Sequence, residues 1–293
     1  QRLGLDGESR LWPGEAMPGD IARRPGALTP AAWQAAVQAA LAHIRAGGLD
    51  KVVLARDEVA EARRPISAGW LAARLHAAYS ETWTFAVAGL VGATPELLVR
   101  RDRGLVASRV LAGTIRRGGG SPAQDLAEAL ATSSKDLAEH EYAVASVAEA
   151  LAPYCRAMNV PETPFVLKLP NVMHLASDIT GVAQTDASVV RLADAVHPSA
   201  AICGTPTARA RALIRQLEGL DRGRYAGPVG WIGADGDGEI GLALRCGQLS
   251  ADGRHVRLYA GCGIVADSDP AAELAETEAK LLPMRQALGA PTG

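Results

Sequence analysis

The chain has 293 residues, 48% of them apolar, and its 30 Lys and Arg nearly balance 32 Asp and Glu, which provides a sizeable core and excludes a basic footprint for nucleic acid or a polybasic membrane surface. Aromatic residues make up only 4%, too few for the stacking platforms that grip single strands. No apolar run approaches the roughly 20 residues of a membrane span and no signal sequence opens the chain, so a soluble, cytoplasmic protein is expected.

Residues 1–28 are rich in Gly, Pro and charge without periodicity and are expected to be irregular, leaving one domain over 29–293. From the start at Gln1 rather than Met, a processed or truncated N-terminus is expected. Thr29-Pro30 supplies an N-cap and a first-turn proline for a helix whose stripe of Trp33, Val37, Leu41 and Ile44 stops at Gly47-Gly48. Lys51-Val-Val-Leu-Ala-Arg56 reads as a strand, followed by a helix around Trp70 to Tyr79 and a strand over 83–91. Three short strands are expected near 96–101, 104–108 and 110–116, antiparallel because their connections are too short for crossovers. After Arg117-Gly-Gly-Gly-Ser-Pro122 comes a long helical region to about Tyr154, then strands near Phe165 and over 173–182. A helix over 188–195 precedes the loop His197-Pro-Ser-Ala-Ala-Ile-Cys-Gly204-Thr-Pro206. A helix to Leu217, strands near 227–232, 238–248 and 256–259, and a helix over 271–288 complete the chain. Consecutive runs of strands predict an α+β layered domain rather than a doubly wound parallel sheet. Cys155, Cys203, Cys246 and Cys262 form no C-x-x-C pair and are expected to be buried free thiols.

Two helical segments carry acids at matching spacing. In Lys135-Asp-Leu-Ala-Glu139-His140 the residues Asp136, Glu139 and His140 share a face, as do Glu273, Glu276 and Lys280 in Glu273-Leu-Ala-Glu276-Thr-Glu-Ala-Lys280. Two such faces could hold one Mg²⁺ and leave coordination positions for an anionic substrate; the plain alternative is a solvated face. Lys51 heads an apolar strand, where desolvation would suit it to act as a base, or where it simply reaches water. Glu96, in Thr94-Pro-Glu96-Leu-Leu-Val, could stay protonated and act as an acid, or be an exposed edge charge. Gly261-Cys-Gly263, after a strand ending at Tyr259-Ala260, offers backbone N–H groups to an anion. Arg245 is a lone guanidinium in an apolar strand and needs a carboxylate partner from protein or ligand. His174 reads equally as a satisfied core histidine or a catalytic one.

In this order, Asp50-Lys-Val-Val-Leu-Ala-Arg56, Thr94-Pro-Glu-Leu-Leu98, Leu111-Ala-Gly-Thr114, Lys135-Asp-Leu-Ala-Glu-His140, Met173-His-Leu-Ala176, the His197 to Pro206 loop, Tyr225-Ala-Gly227, Leu244-Arg245, Ala260-Gly-Cys-Gly-Ile264 and Glu273-x-x-Glu-Thr-x-x-Lys280 resemble the chorismate-utilising enzymes. That family includes isochorismate synthase, salicylate synthase and anthranilate synthase component one. The resemblance implies two packed antiparallel sheets flanked by helices. It also implies Glu139 and Glu276 as ligands of Mg²⁺, Glu273 acting through water, and the ring carboxylate of chorismate on the metal. Tyr225, Arg245, Gly261, Gly263 and Lys280 would hold the enolpyruvyl carboxylate and its surroundings, with Thr114, His174 and Gly204 contributing to the substrate site. Lys51 would activate water and Glu96 would protonate the departing 4-hydroxyl.

Ammonia-adding members resemble one another in a non-basic residue at the Lys51 position, typically Gln, so Lys51 points to water addition. The His-Pro start of the 197–206 loop resembles isochorismate synthases more than the Phe-Pro type of salicylate and anthranilate enzymes. The expectation is therefore an isochorismate synthase, an isomerase, with salicylate synthase, a glutaminase-partnered amide-nitrogen enzyme or a non-catalytic chorismate-binding module as alternatives. A monomer is expected. Family members normally carry a longer N-terminal segment than the fifty residues that precede Lys51 here, which implies that a segment is missing or cleaved.

Overall fold

Thr29 caps α1 (Pro30–Arg45): its hydroxyl accepts the Ala32 amide at 3.2 Å, and Pro30 occupies a position that needs no N–H. The predicted stripe of Trp33, Val37, Leu41 and Ile44 is buried. The structure, a computed structural model, describes residues 18–117, 122–184 and 187–289; the glycine stretch 118–121 and the first 17 residues lie outside the described residues.

The strands form two antiparallel sheets of seven among the described residues. The first contains β1 (Ile21–Pro25), β2 (Lys51–Ala62), β3 (Trp83–Val87), β4 (Leu90–Thr94), β10 (Gly204–Thr205), β13 (Cys246–Leu249) and β14 (His255–Ile264), in the order β1-β2-β14-β13-β4-β3 with β10 on β2. The second contains β5 (Leu97–Asp102), β6 (Leu105–Arg116), β7 (Cys155–Asn159), β8 (Phe165–Lys168), β9 (Val172–Ala183), β11 (Pro228–Ile232) and β12 (Gly238–Leu242), in the order β11-β12-β5-β6-β9-β7 with β8 on β9. One apolar cluster joins Ala55, Leu90, Cys246 and Tyr259 of the first sheet to Leu98, Val106, Val110 and Leu242 of the second, so the main core lies between the sheets. The other helices are α2 (Ala68–Ala78), α3 (Ala123–Thr132), α4 (Ser134–Leu151), α5 (Val189–Val196), α6 (Thr207–Leu217) and α7 (Pro270–Ala287). Leu71, Leu75, Leu281 and Met284 of α2 and α7 pack on Ala60, Val91 and Leu258 of the first sheet, while α1 and α6 cover Val52, Leu54 and Ile264. This is the expected α+β layering. Among the described residues no helix is long and apolar enough to cross a membrane, and all four cysteines are free and buried.

Several elements differ from the sequence reading. Residues 21–25, expected to be irregular, form a strand paired with 58–62 of β2. The strand expected over 83–91 is a hairpin whose turn places Ala88 and Gly89 at φ +47° and +80°. The segments 104–108 and 110–116 are one strand, β6, irregular where Gly113 adopts φ +77°. Ser133 divides the long helical region by capping α4 through a bond from the Asp136 amide. β7 was not anticipated. Finally, 238–248 breaks at 243–245, and the break is where the chain leaves the second sheet for the first. The Pro95-Glu96 step between β4 and β5 is the other crossing of this kind nearby. Glu96 and Arg245 thus sit where the chain changes sheets, and Leu242 N–H donates to the Glu96 carbonyl at 3.1 Å, tying the two crossings together.

Candidate active site

Alternation along β2 and β14 sends Val52, Leu54, Cys262 and Ile264 to the helix-covered side, while Ala55 and Tyr259 join the core between the sheets. Lys51, Val53, Gly261 and Gly263 share that inner face. Gly261 and Gly263 do not follow the strand, as the sequence suggested; they lie inside β14, opposite Ala55 and Val53. They act by having no side chain. A Cβ on Gly263 would lie 2.1 Å from Glu139 Oε1 and 2.9 Å from Lys51 Cε, and one on Gly261 would lie 3.1 Å from the Tyr225 hydroxyl. Gly263→Ala is therefore expected to push Glu139 and Lys51 apart, at a cost of about 1–3 kcal/mol in stability and with a larger loss of turnover. Thermal melts and steady-state assays on the variant check this; wild-type turnover would show that the wall can yield.

The cavity between the sheets is lined by Glu96, Thr114, Glu139, His174, Tyr225, Arg245, Gly261, Gly263 and Lys280, among others. Lys51 stands behind this wall, fully buried, with Nζ 3.3 Å from Glu139 Oε1 and donating to the Glu139 carbonyl at 3.3 Å. Burial opposes ionisation of Glu139, but Lys51, Lys280 and Lys135 outweigh it and hold the carboxyl below its usual range. Glu96 is the converse: burial raises its pKa to about 7 against the pull of Arg245, Lys51 and Lys280. The edge-charge alternative for Glu96 is thereby removed, since the residue is 5% exposed.

Arg245 is buried at φ +48° and donates to His174 Nε2 at 2.9 Å. A guanidinium only donates, so Nε2 accepts and the ring proton sits on Nδ1, which faces Thr114 Oγ1 at 3.0 Å. Burial, Arg245 and Lys280 hold His174 neutral, well below the usual histidine range. Arg245 thus has a neutral partner rather than a protein carboxylate, and its charge remains available to an anion. Tyr225 stacks on Tyr259 with ring centroids 5.0 Å apart. Lys280 donates to the Gly261 carbonyl at 3.1 Å and to Glu276 Oε1 at 2.6 Å.

The acid faces assemble only in part. Glu273 and Glu276 converge with Cys262, while Glu139 lies outside that cluster, near enough for its charge to raise Glu276. Asp136 accepts the Thr114 amide at 3.2 Å and so fixes the β6 irregularity. His140 is buried between Ala112 O (3.2 Å) and Ser177 Oγ (2.8 Å), and burial lowers its pKa to about 4. Gly204 is not on the cavity wall; at φ +137° it lets β10 approach β2, where a Cβ would lie 2.2 Å from the Lys51 carbonyl.

Three contributors escaped the sequence reading. Lys135 pairs with Glu273, and although burial lowers its proton affinity, Glu273, Glu276 and Glu139 raise it further still. Glu218 accepts the Ala55 amide at 2.7 Å and pairs with Arg222, which lines the cavity and donates to the Val53 carbonyl at 2.8 Å. The i,i+4 spacing of Glu218 and Arg222 was the available signal.

Carboxylates from α4 and α7 form an oxygen donor set suited to a hard cation. Glu276 is raised by burial and, against Lys280, by the charges of Glu273 and Glu139, a repulsion that a divalent ion would relieve. Oxygens of Glu273 and Glu276 and the Cys262 sulfur lie within 4.8 Å of one another. The thiol, raised well above its usual range by burial and by these acids, suits Mg²⁺ poorly. The residues present therefore fit Mg²⁺ on the glutamates.

Two facing antiparallel sheets with lone charges at their crossings define the class. The profile described as chorismate binding enzyme matches residues 15–289, and the chain belongs to that family. Isochorismate synthase DhbC of Bacillus subtilis is 40% identical over 274 residues, which cover 89% of this chain and 68% of that protein. The salicylate biosynthesis isochorismate synthase of Pseudomonas aeruginosa is 39% identical over 266 residues, covering 89% and 55%. The chain thus spans little more than half of some relatives. The crystal structure of DhbC from Bacillus anthracis superposes with a TM-score of 0.86 at 36% identity, covering 92% of this chain and 74% of that one.

Proposed function

We propose that the chain is an isochorismate synthase, an isomerase that converts chorismate to isochorismate. The observation that carries this reading is the pairing of a buried lysine with a buried, protonation-prone carboxyl around one cavity, Lys51 by way of Glu139 and Glu96 at the sheet crossing. Arg245 and Lys280 supply cationic donors for the enolpyruvyl carboxylate, with Tyr225 and the bare backbone of Gly261 and Gly263 shaping the space. Mg²⁺, held by Glu139 and Glu276 with Glu273 acting through water, would supply positive charge to the ring carboxylate.

Lys51 can act as base only after the ammonium that faces Glu139 has given up its proton; the amine then takes a proton from water as the water oxygen bonds to ring C2. The two ring double bonds each shift by one position, the C4–O bond breaks, and Glu96 gives its proton to the departing hydroxyl, which leaves as water. Atoms balance as an isomerisation, with the enzyme left one proton transfer from its starting state. His174 and Thr114 fix the Arg245 side chain and so orient the substrate.

Purified protein incubated with chorismate and Mg²⁺ is expected to give isochorismate alone, with and without added ammonium, and to lose activity on chelation. Salicylate with pyruvate would transfer the reading to salicylate synthase, and anthranilate to the ammonia-adding enzymes. Turnover unaffected by chelation would remove the cation site.

A further inference from the structure

The acids of the cation site are balanced without a cation: Lys51 faces Glu139, Lys280 faces Glu276 and Lys135 faces Glu273. The three lysines are not equivalent. The Lys51 side chain is 0% exposed and that of Lys280 11%, whereas that of Lys135, in the first turn of α4, is 26% exposed. Lys51 and Lys280 also donate to main-chain carbonyls, which anchors them, while Lys135 is held through Glu273. The Glu273 side chain is 1% exposed and shares its site with Glu276.

We propose that Lys135 is a displaceable internal counter-ion of the cation site, occupying Glu273 in the cation-free protein and swinging to solvent when a divalent ion arrives. This rests on the cation site of the proposed function. The physical basis is direct. An incoming cation meets a like charge at Glu273, and a largely buried ion pair must break before that carboxylate can turn to the cation or to its bound water. Of the three lysines, Lys135 alone combines a substantially exposed side chain with a flexible stem that can return its charge to water. A site with such a counter-ion binds Mg²⁺ weakly and exchanges it readily.

The test is calorimetric titration of the full chain with MgCl₂, without substrate, using Lys135→Met, which keeps the stem, and Lys135→Arg, which keeps the charge. Lys135→Met is expected to bind Mg²⁺ about tenfold more tightly than wild type, within the usual range of coupling between sites, and Lys135→Arg close to wild type. Melting curves give a second readout: Lys135→Met should melt lower than wild type in chelator and gain more from Mg²⁺. Equal or weaker affinity in a folded Lys135→Met, with wild type still binding, overturns this proposal and leaves the cation site standing. If neither wild type nor Lys135→Met takes up Mg²⁺, the cation site itself fails and the proposal with it.

Discussion

Lys51→Ala is expected to abolish isochorismate formation, a loss on the order of 10²–10⁴-fold, while chorismate binding survives. The side chain is fully buried and its ammonium faces the Glu139 carboxylate at 3.3 Å. Removing it takes away the proton acceptor for the attacking water, yet leaves Arg245, Lys280 and Tyr225 in place around the cavity. It also strands a buried carboxylate, which costs about 3–5 kcal/mol when the partner is deleted, so the melting temperature should fall as well. The two effects separate by titrating chorismate calorimetrically into the folded variant below its melting point. Binding within a few-fold of wild type together with lost turnover identifies Lys51 as the base. Strong residual turnover would exclude it, and lost binding would show that Lys51 shapes the substrate pocket through Glu139 instead.

The parts of this site that were legible in the sequence are those set by local periodicity. Thr29-Pro30 and the stripe behind it gave α1 to within a residue, because capping and burial are both local there. The i,i+3 spacing of Glu273 and Glu276 survives folding unchanged, since one helix carries both. What was not legible depends on which strand meets which. The stretch 238–248 has one apolar pattern, yet its two ends belong to different sheets, and nothing local marks Arg245 as the corner. Likewise Ile21-Ala-Arg-Arg-Pro25 is too polar to read as a strand. It becomes one by pairing with residues 58–62 at the C-terminal end of β2. Gly261 and Gly263 suggested an anion loop because alternating glycines usually sit outside strands. Their actual role, clearance for Glu139, Lys51 and Tyr225, requires knowing what lies opposite. The acid face on α4 was overdrawn for a related reason: Asp136 and His140 share spacing with Glu139, but the Asp136 carboxylate accepts from the Thr114 amide of β6 and the Ser133 hydroxyl of the helix cap, and His140 is held by Ser177 of β9.

Glu96→Gln should become more stable as it loses activity, and the gain should grow with pH. Burial raises the Glu96 pKa from an ordinary 4.5 to about 7, so in the folded protein ionisation is disfavoured. Below the ordinary value the carboxyl is neutral in both folded and unfolded chains, and titration of Glu96 favours neither. Between about 4.5 and 7 the unfolded chain ionises and the folded one resists, so Glu96 destabilises the fold progressively as pH rises across that window. Above it the penalty is constant, on the order of 3 kcal/mol for a shift of this size. Gln has the same shape and no proton to lose. The melting temperature of Glu96→Gln minus that of wild type, measured without substrate or cation, should therefore rise between pH 5 and 7 and level off above, a window that follows from the carboxyl's shift. Turnover should fall by about 10²-fold or more, since an amide cannot protonate the departing hydroxyl. The wild-type rate should decline above about pH 7 as the acid ionises, and any residual rate of the variant should lack that limb. A difference in melting temperature that does not change with pH would mean that Glu96 is already ionised in the folded protein, with Arg245 and Lys280 as its counter-charges. The carboxyl would then serve to position those cations, and the proton for the leaving group would have to come from elsewhere in the cavity.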